Sequence, residues 1–381
     1  MKKPDPSRPL DAVVAGYLGV DLTPGFSARR KVVPFSELFR PGKLIETEGL
    51  NLSLGGVVAN TGLAMVRFGQ RVELMGSVGH DALGDMALAR LAQVGVTTGI
   101  RRTNQAGTAY GVVLAPPGAD RLFLEDSGCN SRFTAEDIDY EVVGQSRLFH
   151  FGYPPLMAAL WSQGGAELQK LLGRARERGA AISLDMTLPD PDSPAGKADW
   201  QAILAATLPL VDIFVPSIEE LVFMLEPETF STLLEQAAGG DLIDAIPQAV
   251  YGRLAERILA LGVKVVLIKA GHKGAYLRTG NLASLAAPAS PLRLSDSTGC
   301  PDGVWIPPFP VESGRFCNAC GAGDCAVAGF LSALLNGVTV TEAGTYAMMA
   351  GRDNLYGHDA LSGLREWTHM AGLVKEMETM S

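Results

Sequence analysis

Short apolar runs alternate along the chain with segments whose apolar residues recur at helical spacing. The runs hold few polar positions and are bounded by glycine, proline or charged residues, which predicts buried strands. The predicted strands are residues 12–20, 71–79, 147–153, 180–187, 211–217 and 263–271. The predicted helices are residues 55–69, 81–95, 166–179, 251–262 and 323–337. Asp81 is the expected N-cap of the second helix, and Gly337 is expected to end the last one.

The order of these elements predicts the class of fold. Strands that are apolar along their whole length and separated by helices are typical of a mostly parallel sheet sandwiched between helices. The chain has 381 residues, of which 47% are hydrophobic, which is enough for one large α/β domain or two smaller ones. Because no linker rich in Pro, Gly or Ser divides the sequence, we expect a single domain over residues 1–381.

Two segments interrupt the alternation of strands and helices. Residues 22–50 and 104–130 lack a clear crossover helix, and the runs GTAYGVVLAP and DRLFLED in the second segment have the pattern of a hairpin. We therefore expect residues 22–50 and 104–130 to form a small β-lid at the ligand-binding edge of the sheet. Residues 226–250 and 280–314 are expected to be surface insertions.

The charge and hydropathy of the chain argue against some partners. The formal net charge is −9 and Lys and Arg are not clustered, so nucleic acid is not an expected partner. A loop of backbone N–H groups can still hold a nucleotide phosphate. No run approaches the ~20 apolar residues that span a bilayer. The apolar run that follows Lys2 and Lys3 is bracketed by Asp11 and Asp21, so we expect a cytoplasmic protein without membrane contact.

The run Gly321-Ala322-Gly323-Asp324 opens the last predicted helix. Glycines let an anion approach the backbone closely, and the N–H groups of residues 322–324 would point out of the helix N-terminus. Asp324 could accept a proton from a substrate hydroxyl and direct that oxygen towards a bound phosphoryl group. The alternative is that Asp324 only caps the helix and the glycines only permit close packing. The four residues alone leave these two interpretations open.

Cys317 and Cys320 form a C-x-x-C pair just before this turn, and Cys129, Cys300 and Cys325 are the other cysteines. A structural zinc site needs four ligands, but the sequence has no second C-x-x-C and no nearby histidine. A redox pair is usually found at a helix start, which the glycine turn occupies here. We expect the two cysteines to be ordinary loop residues, with a zinc or redox role as the lesser alternative.

Further polar and glycine residues follow predicted strands. Asp21 ends the first strand, and Gly55, Gly56 and Asn60 open the first helix, a combination that suits hydroxyl groups of a ligand. Each of these residues also has a simpler explanation as a turn or a helix cap. Glu219 and Glu220 begin a helix, where acidic residues are common, and Gly271 and Gly274 form only a weak glycine pattern. No G-x-G-x-x-G follows the first strand, which argues against a dinucleotide-binding dehydrogenase.

Taken in order, these motifs resemble the ribokinase-like (PfkB) family of carbohydrate kinases. The run GGVVAN resembles the N-terminal signature of the family, and NACGAGDCAVAGFL resembles its C-terminal signature. The runs GYLGVD, PSIEE and IKAGHKG are weaker matches at the positions of its sugar-binding aspartate, its N-x-x-E motif and a nucleotide-contacting strand end. The resemblance covers almost the whole chain. It implies a mostly parallel sheet between helices and a β-lid that covers the sugar and can also form a homodimer interface.

The resemblance also implies roles for particular residues. Asp324 would be the catalytic base, and the N–H groups of residues 321–323 would stabilise the transferring phosphoryl group. Asp21 would bind the sugar hydroxyls, together with Gly55, Gly56 and Asn60. Glu220 would hold Mg²⁺, largely through water. The residues that the resemblance implies for the nucleotide are Lys269, Gly271, Gly274 and Asn318.

Four residues depart from the family pattern, and one of them is Lys269, which stands where a hydroxyl residue is often found before the glycine. Asn318 and Ala319 replace the first aspartate and the threonine of the C-terminal signature, in a loop that contributes to a monovalent-cation site in many relatives. Ser217 replaces the asparagine of N-x-x-E. Potassium dependence is therefore left open. Our main hypothesis is an ATP- and Mg²⁺-dependent kinase that phosphorylates a hydroxyl of a small sugar, polyol or nucleoside. The alternative is a non-catalytic sensor of sugar or nucleotide with the same fold.

Overall fold

The computed structural model describes residues 7–27, 31–118 and 122–380. The strands of the described residues are β1 Leu10–Gly16, β2 Gly19–Pro24, β3 Leu50–Gly55, β4 Val72–Gly79, β5 Ile100–Thr103, β6 Ala109–Leu114, β7 Leu122–Asp126, β8 Ser146–Gly152, β9 Ala181–Asp185, β10 Ile213–Phe214, β11 Val265–Lys269, β12 Ala275–Thr279 and β13 Val304–Ile306. The helices are α1 Phe35–Leu38, α2 Val57–Arg67, α3 Ala82–Gln93, α4 Tyr140–Gly144, α5 Ala158–Glu177, α6 Trp200–Thr207, α7 Ile218–Leu225, α8 Pro227–Ala237, α9 Leu242–Ala245, α10 Gln248–Ala260, α11 Ala283–Ala286, α12 Ala322–Asn336, α13 Val340–Asn354 and α14 Trp367–Met380.

The larger of two sheets has nine strands in the order β13-β12-β11-β10-β9-β8-β1-β4-β5. Its strands from β5 to β11 pair in parallel, and only β12, which pairs with β11 and with the edge strand β13, runs in the opposite direction. All seven residues of β8 and all five of β9 are buried, because helices cover both faces. The predicted ribokinase-like sheet class is confirmed. The carboxyl ends of the parallel strands meet at one edge, which is where open α/β sheets bind ligands.

The predicted strand over residues 12–20 is wrong in one respect, because it is two strands in different sheets. β1 ends at Gly16 in the large sheet, and β2 begins at Gly19 in the small one. Gly16 has a φ of 127°, and a Cβ there would lie 2.4 Å from the carbonyl oxygen of Gly152 on β8. Only glycine fits so close to the neighbouring strand, so the chain can turn out of the large sheet at this residue. The apolar run continues through the turn, so the sequence pattern does not reveal where one strand ends and the next begins.

The smaller sheet has four strands in the order β3-β2-β6-β7. Within the predicted lid segment 104–130, β6 and β7 form the expected antiparallel hairpin. β2 and β3 lie at the two ends of the other predicted lid segment, residues 22–50, and extend beyond it, since β2 starts at Gly19 and β3 ends at Gly55. Residues 28–30 and 119–121 of the two predicted segments lie outside the described residues.

Several other element boundaries differ from the sequence pattern. β10 is only Ile213–Phe214, much shorter than the predicted 211–217, because the chain turns at Pro216 into α7. Residues 226–250 form α8 and α9, and residues 280–314 supply the edge strand β13, so neither is a plain surface insertion. Asp81 caps α3 by accepting from the N–H of Gly84, and Gly337 caps α12 with a φ of 84°, as predicted. No helix among the described residues is long and apolar enough to span a membrane.

Candidate active site

The turn before α12 supplies a cluster of outward-facing N–H groups. Gly321 is the N-cap of this helix and has a φ of 77°, a left-handed conformation that favours glycine. The N–H groups of Gly321, Gly323 and Asp324 donate to no acceptor among the residues that the structure describes. The N–H of Ala322 differs from the sequence expectation, because it donates to the carbonyl of Ala319 at 3.3 Å. Three N–H groups at a helix N-terminus therefore remain for an anion.

Asp324 is 4% exposed, and its carboxylate is held by residues from two other parts of the fold. The Nδ2 of Asn60 donates to Oδ2 at 3.0 Å. The hydroxyl of Tyr153 donates to Oδ1 at 2.7 Å, and the hydroxyl of Thr61 donates to the same oxygen at 3.3 Å. Because Oδ2 accepts only one of these bonds, it keeps a lone pair for a ligand. The carboxylate is thus fixed in orientation and still able to accept a proton.

Tyr153 was not expected from the sequence. It follows β8 directly and has a φ of 68°, which is unusual for a residue other than glycine. Such strained residues are found at functional sites, where the surrounding structure holds them in place. The only sequence signal is its position between a buried strand and Pro154-Pro155.

We expect Tyr153→Phe to lower kcat by about 10-fold or more, because a hydrogen bond to a charged group contributes about 1.5–3 kcal/mol. The KM for the nucleotide should not change. Tyr251→Phe is the matched control, since the buried hydroxyl of Tyr251 has no hydrogen-bond partner among the described residues. Steady-state kinetics of both variants test this role. Equal kcat values for Tyr153→Phe and the wild type would contradict it.

A cavity of about 440 Å³ lies between the four-stranded sheet β3-β2-β6-β7 (the lid sheet) and the turn before α12. The four residues that the sequence assigned to the acceptor line it: Asp21, Gly55, Gly56 and Asn60. Two of them are glycines for steric reasons. A Cβ on Gly55 would lie 2.6 Å from Oδ1 of Asp21, and Gly56 has a φ of 84°. Gly321 forms part of the floor, so the cavity reaches the turn before α12.

A second cavity, of about 700 Å³, lies on the other side of the same turn. Lys269, Gly271 and Gly274 line it as the sequence suggested, together with Ala322 and Gly323. Its remaining wall is largely apolar and comes from segments that the sequence did not associate with the site. These residues are Pro308, Phe309, Pro310, Val311, Phe316, Met348 and Leu355. A large, mostly apolar cavity that ends at a turn with unbonded N–H groups has a form that suits a nucleotide.

Lys269 pairs with Asp185, a residue that the sequence did not single out. Nζ lies 2.7 and 2.9 Å from the two carboxylate oxygens, and both side chains are almost completely buried. Burial alone would lower the pKa of Lys269, but the carboxylate of Asp185, with that of Glu220, outweighs this effect and raises the pKa. A Cβ on Gly323 would lie 3.9 Å from Nζ. A charged ammonium group therefore stands beside the turn.

Glu220 lines a small cavity of about 240 Å³ together with Lys269, Gly323 and Asp324. One of its oxygens accepts from the N–H of Ser217 at 2.7 Å in a capping box, so only part of the carboxylate remains for a ligand. No group of three metal-binding side chains occurs in the described part of the chain. Mg²⁺ is usually bound by one or two carboxylates with water and substrate phosphates. The carboxylate of Glu220 beside the turn fits that mode of binding.

The structure does not bring Asn318 together with the other residues assigned to the nucleotide. Its Nδ2 donates to the carbonyl of Gly357 at 2.7 Å, and its Oδ1 accepts from the N–H of Cys320 at 2.7 Å. It lines a different cavity, of about 710 Å³, along with Cys317 and Cys320. The side chain of Asn318 thus fastens the loop before α12 to the loop after α13.

The large parallel-rich sheet, the lid and the glycine turn with its aspartate define a ribokinase-like fold. The ribokinase of Arabidopsis thaliana, solved with ribose and ATP, aligns with a TM-score of 0.68 at 19% identity, over 96% of this chain and 99% of that one. A model of the pfkB family carbohydrate kinases matches residues 27–352, and the chain therefore belongs to this family.

Two curated relatives agree with this assignment. A sugar kinase of Archaeoglobus fulgidus, described as uncharacterized, is 23% identical over 304 residues, which are 79% of this chain and 98% of that protein. Fructokinase-1 of Zea mays is 25% identical over 321 residues, which are 78% of this chain and 92% of that protein. Both are similar to this chain along most of its length.

Proposed function

We propose that this carbohydrate kinase is an ATP-dependent phosphotransferase that phosphorylates a hydroxyl of a small sugar, polyol or nucleoside, with Asp324 as the base. One observation carries the proposal. The turn before α12 lies between a cavity under the lid, which Gly321 lines, and a large apolar cavity, which Ala322 and Gly323 line. Asn60 and Tyr153 of the first cavity hold the carboxylate of Asp324. An acceptor in the first and a nucleotide in the second would meet at this turn.

On the acceptor side, the polar residues of the cavity fix the orientation of the hydroxyls. Asp21 accepts from hydroxyl groups, and the amide oxygen of Asn60 is available because its Nδ2 is bonded to Asp324. Asp324 takes the proton of the reacting hydroxyl as the oxygen of that hydroxyl attacks the γ-phosphorus of ATP. The bond from that phosphorus to the β,γ-bridging oxygen breaks, and ADP leaves with that oxygen.

On the phosphoryl side, the chain supplies positive electrostatic potential. The N–H groups of Gly321 and Gly323 and the ammonium of Lys269 stabilise the equatorial oxygens of the transferring group. Glu220 would hold Mg²⁺ through water. When bound, that ion neutralises charge that develops on the phosphates. Most of the catalytic effect in phosphoryl transfer comes from such positioning and electrostatic stabilisation.

An acceptor panel tests the proposal. Sugars, polyols and nucleosides are incubated with ATP and Mg²⁺, ADP formation is measured, and the thermal shift caused by each compound is recorded in parallel. We expect at least one acceptor to raise both Tm and the rate of ADP formation. An acceptor that raises Tm without any turnover would favour the sensor alternative.

We also propose that turnover does not depend on potassium. The amide of Asn318 already joins the two loops near the turn by donating to Gly357 and accepting from Cys320. Both polar atoms of this amide are therefore engaged, and a neutral amide offers a cation no negative charge. The expected result is equal kcat in potassium chloride and in the chloride of a bulky organic cation. A several-fold increase with potassium would contradict this expectation.

A further inference from the structure

Two carboxylates of the lid face the acceptor cavity from β2 and β7, the strands on either side of β6. In the register of the lid sheet, Asp21 of β2 stands opposite Gly111 of β6, and Gly111 stands opposite Glu125 of β7. A Cβ on Gly111 would lie 2.7 Å from Oε2 of Glu125 and 3.3 Å from Oδ1 of Asp21. The absence of a side chain at Gly111 therefore lets the two carboxylates approach each other above the cavity.

No positive side chain balances this pair within the described lining of the cavity. That lining contains no Lys, Arg or His, and its other carboxylate is that of Asp190. The hydroxyl of Tyr17 donates to Oε1 of Glu125, which leaves Oε2 for a ligand. Like charges held close together are unfavourable, so the pair has a structural cost that bound donor groups would offset.

The protonation behaviour of these groups agrees with a negative cavity. Burial, and then the nearby carboxylate of Asp324, raise the pKa of Asp21 to about 6. Partial loss of water raises the pKa of Glu125 above its usual range, and Asp21 contributes to the effect although the bond from Tyr17 opposes it. Both pKa shifts arise first from burial, and the neighbouring carboxylates add to them.

We propose that the acceptor is a neutral or amine-bearing polyol, and that Asp21 and Glu125 select against sugar acids and sugar phosphates. This inference rests on the proposed function. Hydroxyl and ammonium groups donate hydrogen bonds to both carboxylates, whereas a carboxylate or phosphate of the substrate would face them without a Lys, Arg or His among the described residues that line the cavity.

Acceptors with the same skeleton and different charge test the inference. The best neutral acceptor of the panel is compared with its amino, carboxylate and phosphate congeners; for a hexose these are glucose, glucosamine, gluconate and glucose monophosphate. We expect kcat/KM to be at least about 100-fold lower for the two anionic congeners, since like-charge contacts cost orders of magnitude in affinity. The amino congener should be at least as good as the neutral one. An anionic congener that matches or exceeds the neutral acceptor would overturn the inference.

A charge-removing variant tests whether Glu125 is responsible. Glu125→Gln keeps the size of the side chain and an oxygen for Tyr17. We expect this variant to reduce the ratio of kcat/KM between the neutral and the anionic congeners about 10-fold. Glu235→Gln, at an exposed position of α8, also removes one negative charge and should leave this ratio of kcat/KM unchanged. If the ratio is unchanged in Glu125→Gln, this carboxylate does not select the substrate.

A failure of this inference can be distinguished from a failure of the proposed function. Ligand-induced thermal shifts of the same congeners report the preference of the site even without turnover. If the neutral and amino congeners raise Tm but no compound is phosphorylated, the inference stands and the proposed function fails. If an anionic congener is the best substrate, the proposed function stands and the inference fails.

Discussion

Asp324→Asn is expected to lower kcat by about 10²–10⁴-fold, because an amide cannot take the proton of the acceptor hydroxyl. The side chain keeps its size, so the acceptor and nucleotide should still bind with near wild-type Kd. The helix and the turn should also remain, since the backbone groups of α12 do not depend on the carboxylate. The measurement is kcat by ADP formation together with ligand binding by calorimetry.

The control for this substitution is Asp302→Asn, which removes one carboxylate from an exposed loop position. Its kcat should equal that of the wild type. Should Asp324→Asn also retain full kcat, the base assignment would be wrong. A loss of binding rather than turnover would instead indicate that Asp324 mainly orients the acceptor.

Lys269→Met is expected to have the second largest effect, and it should change both stability and turnover. Removing the ammonium leaves Asp185 buried without its partner, and breaking a buried ion pair in this way costs about 3–5 kcal/mol in the free energy of unfolding. Turnover should fall as well, because Lys269 stands beside the turn. Denaturant unfolding and steady-state kinetics measure the two effects separately.

The double variant Lys269→Met/Asp185→Asn distinguishes a structural from a catalytic role. With both charges removed, we expect most of the lost stability to return, since the new amide would still offer an oxygen to the N–H of Met186 as Asp185 does. The kcat should remain low because the ammonium is still missing. A double variant with wild-type kcat would show that Lys269 acts only through the fold. Lys170→Met, which removes an exposed lysine, is the matched control.

The local parts of the fold and site could be predicted from the sequence. The start of α12 is specified by residues 321–324, because the glycines, the aspartate and the apolar helix behind them are adjacent in the chain. The parallel sheet is likewise indicated by the apolar runs that became β8 and β9. Such features depend on residues that are near one another in sequence.

The contacts across the fold could not be predicted in this way. Tyr153 is 171 residues from Asp324, and Lys269 is 84 residues from Asp185. These pairs meet only because the order of the strands brings their carboxyl ends to one edge. Glu125 reaches the cavity through the register of the lid sheet, which its own segment does not encode. The hydrogen bond from Asn60 to Asp324 likewise depends on how α2 packs against α12.

The central claim is that the protein transfers the γ-phosphoryl group of ATP to an acceptor hydroxyl at Asp324. The most direct test uses ATP labelled in its γ-phosphate and follows the label in the presence of the best acceptor. ADP formation alone does not distinguish transfer from hydrolysis. We predict that the label appears in the acceptor with the wild type and is almost absent from it with Asp324→Asn. Label that remains in ATP or passes only to inorganic phosphate with the wild type would contradict the claim.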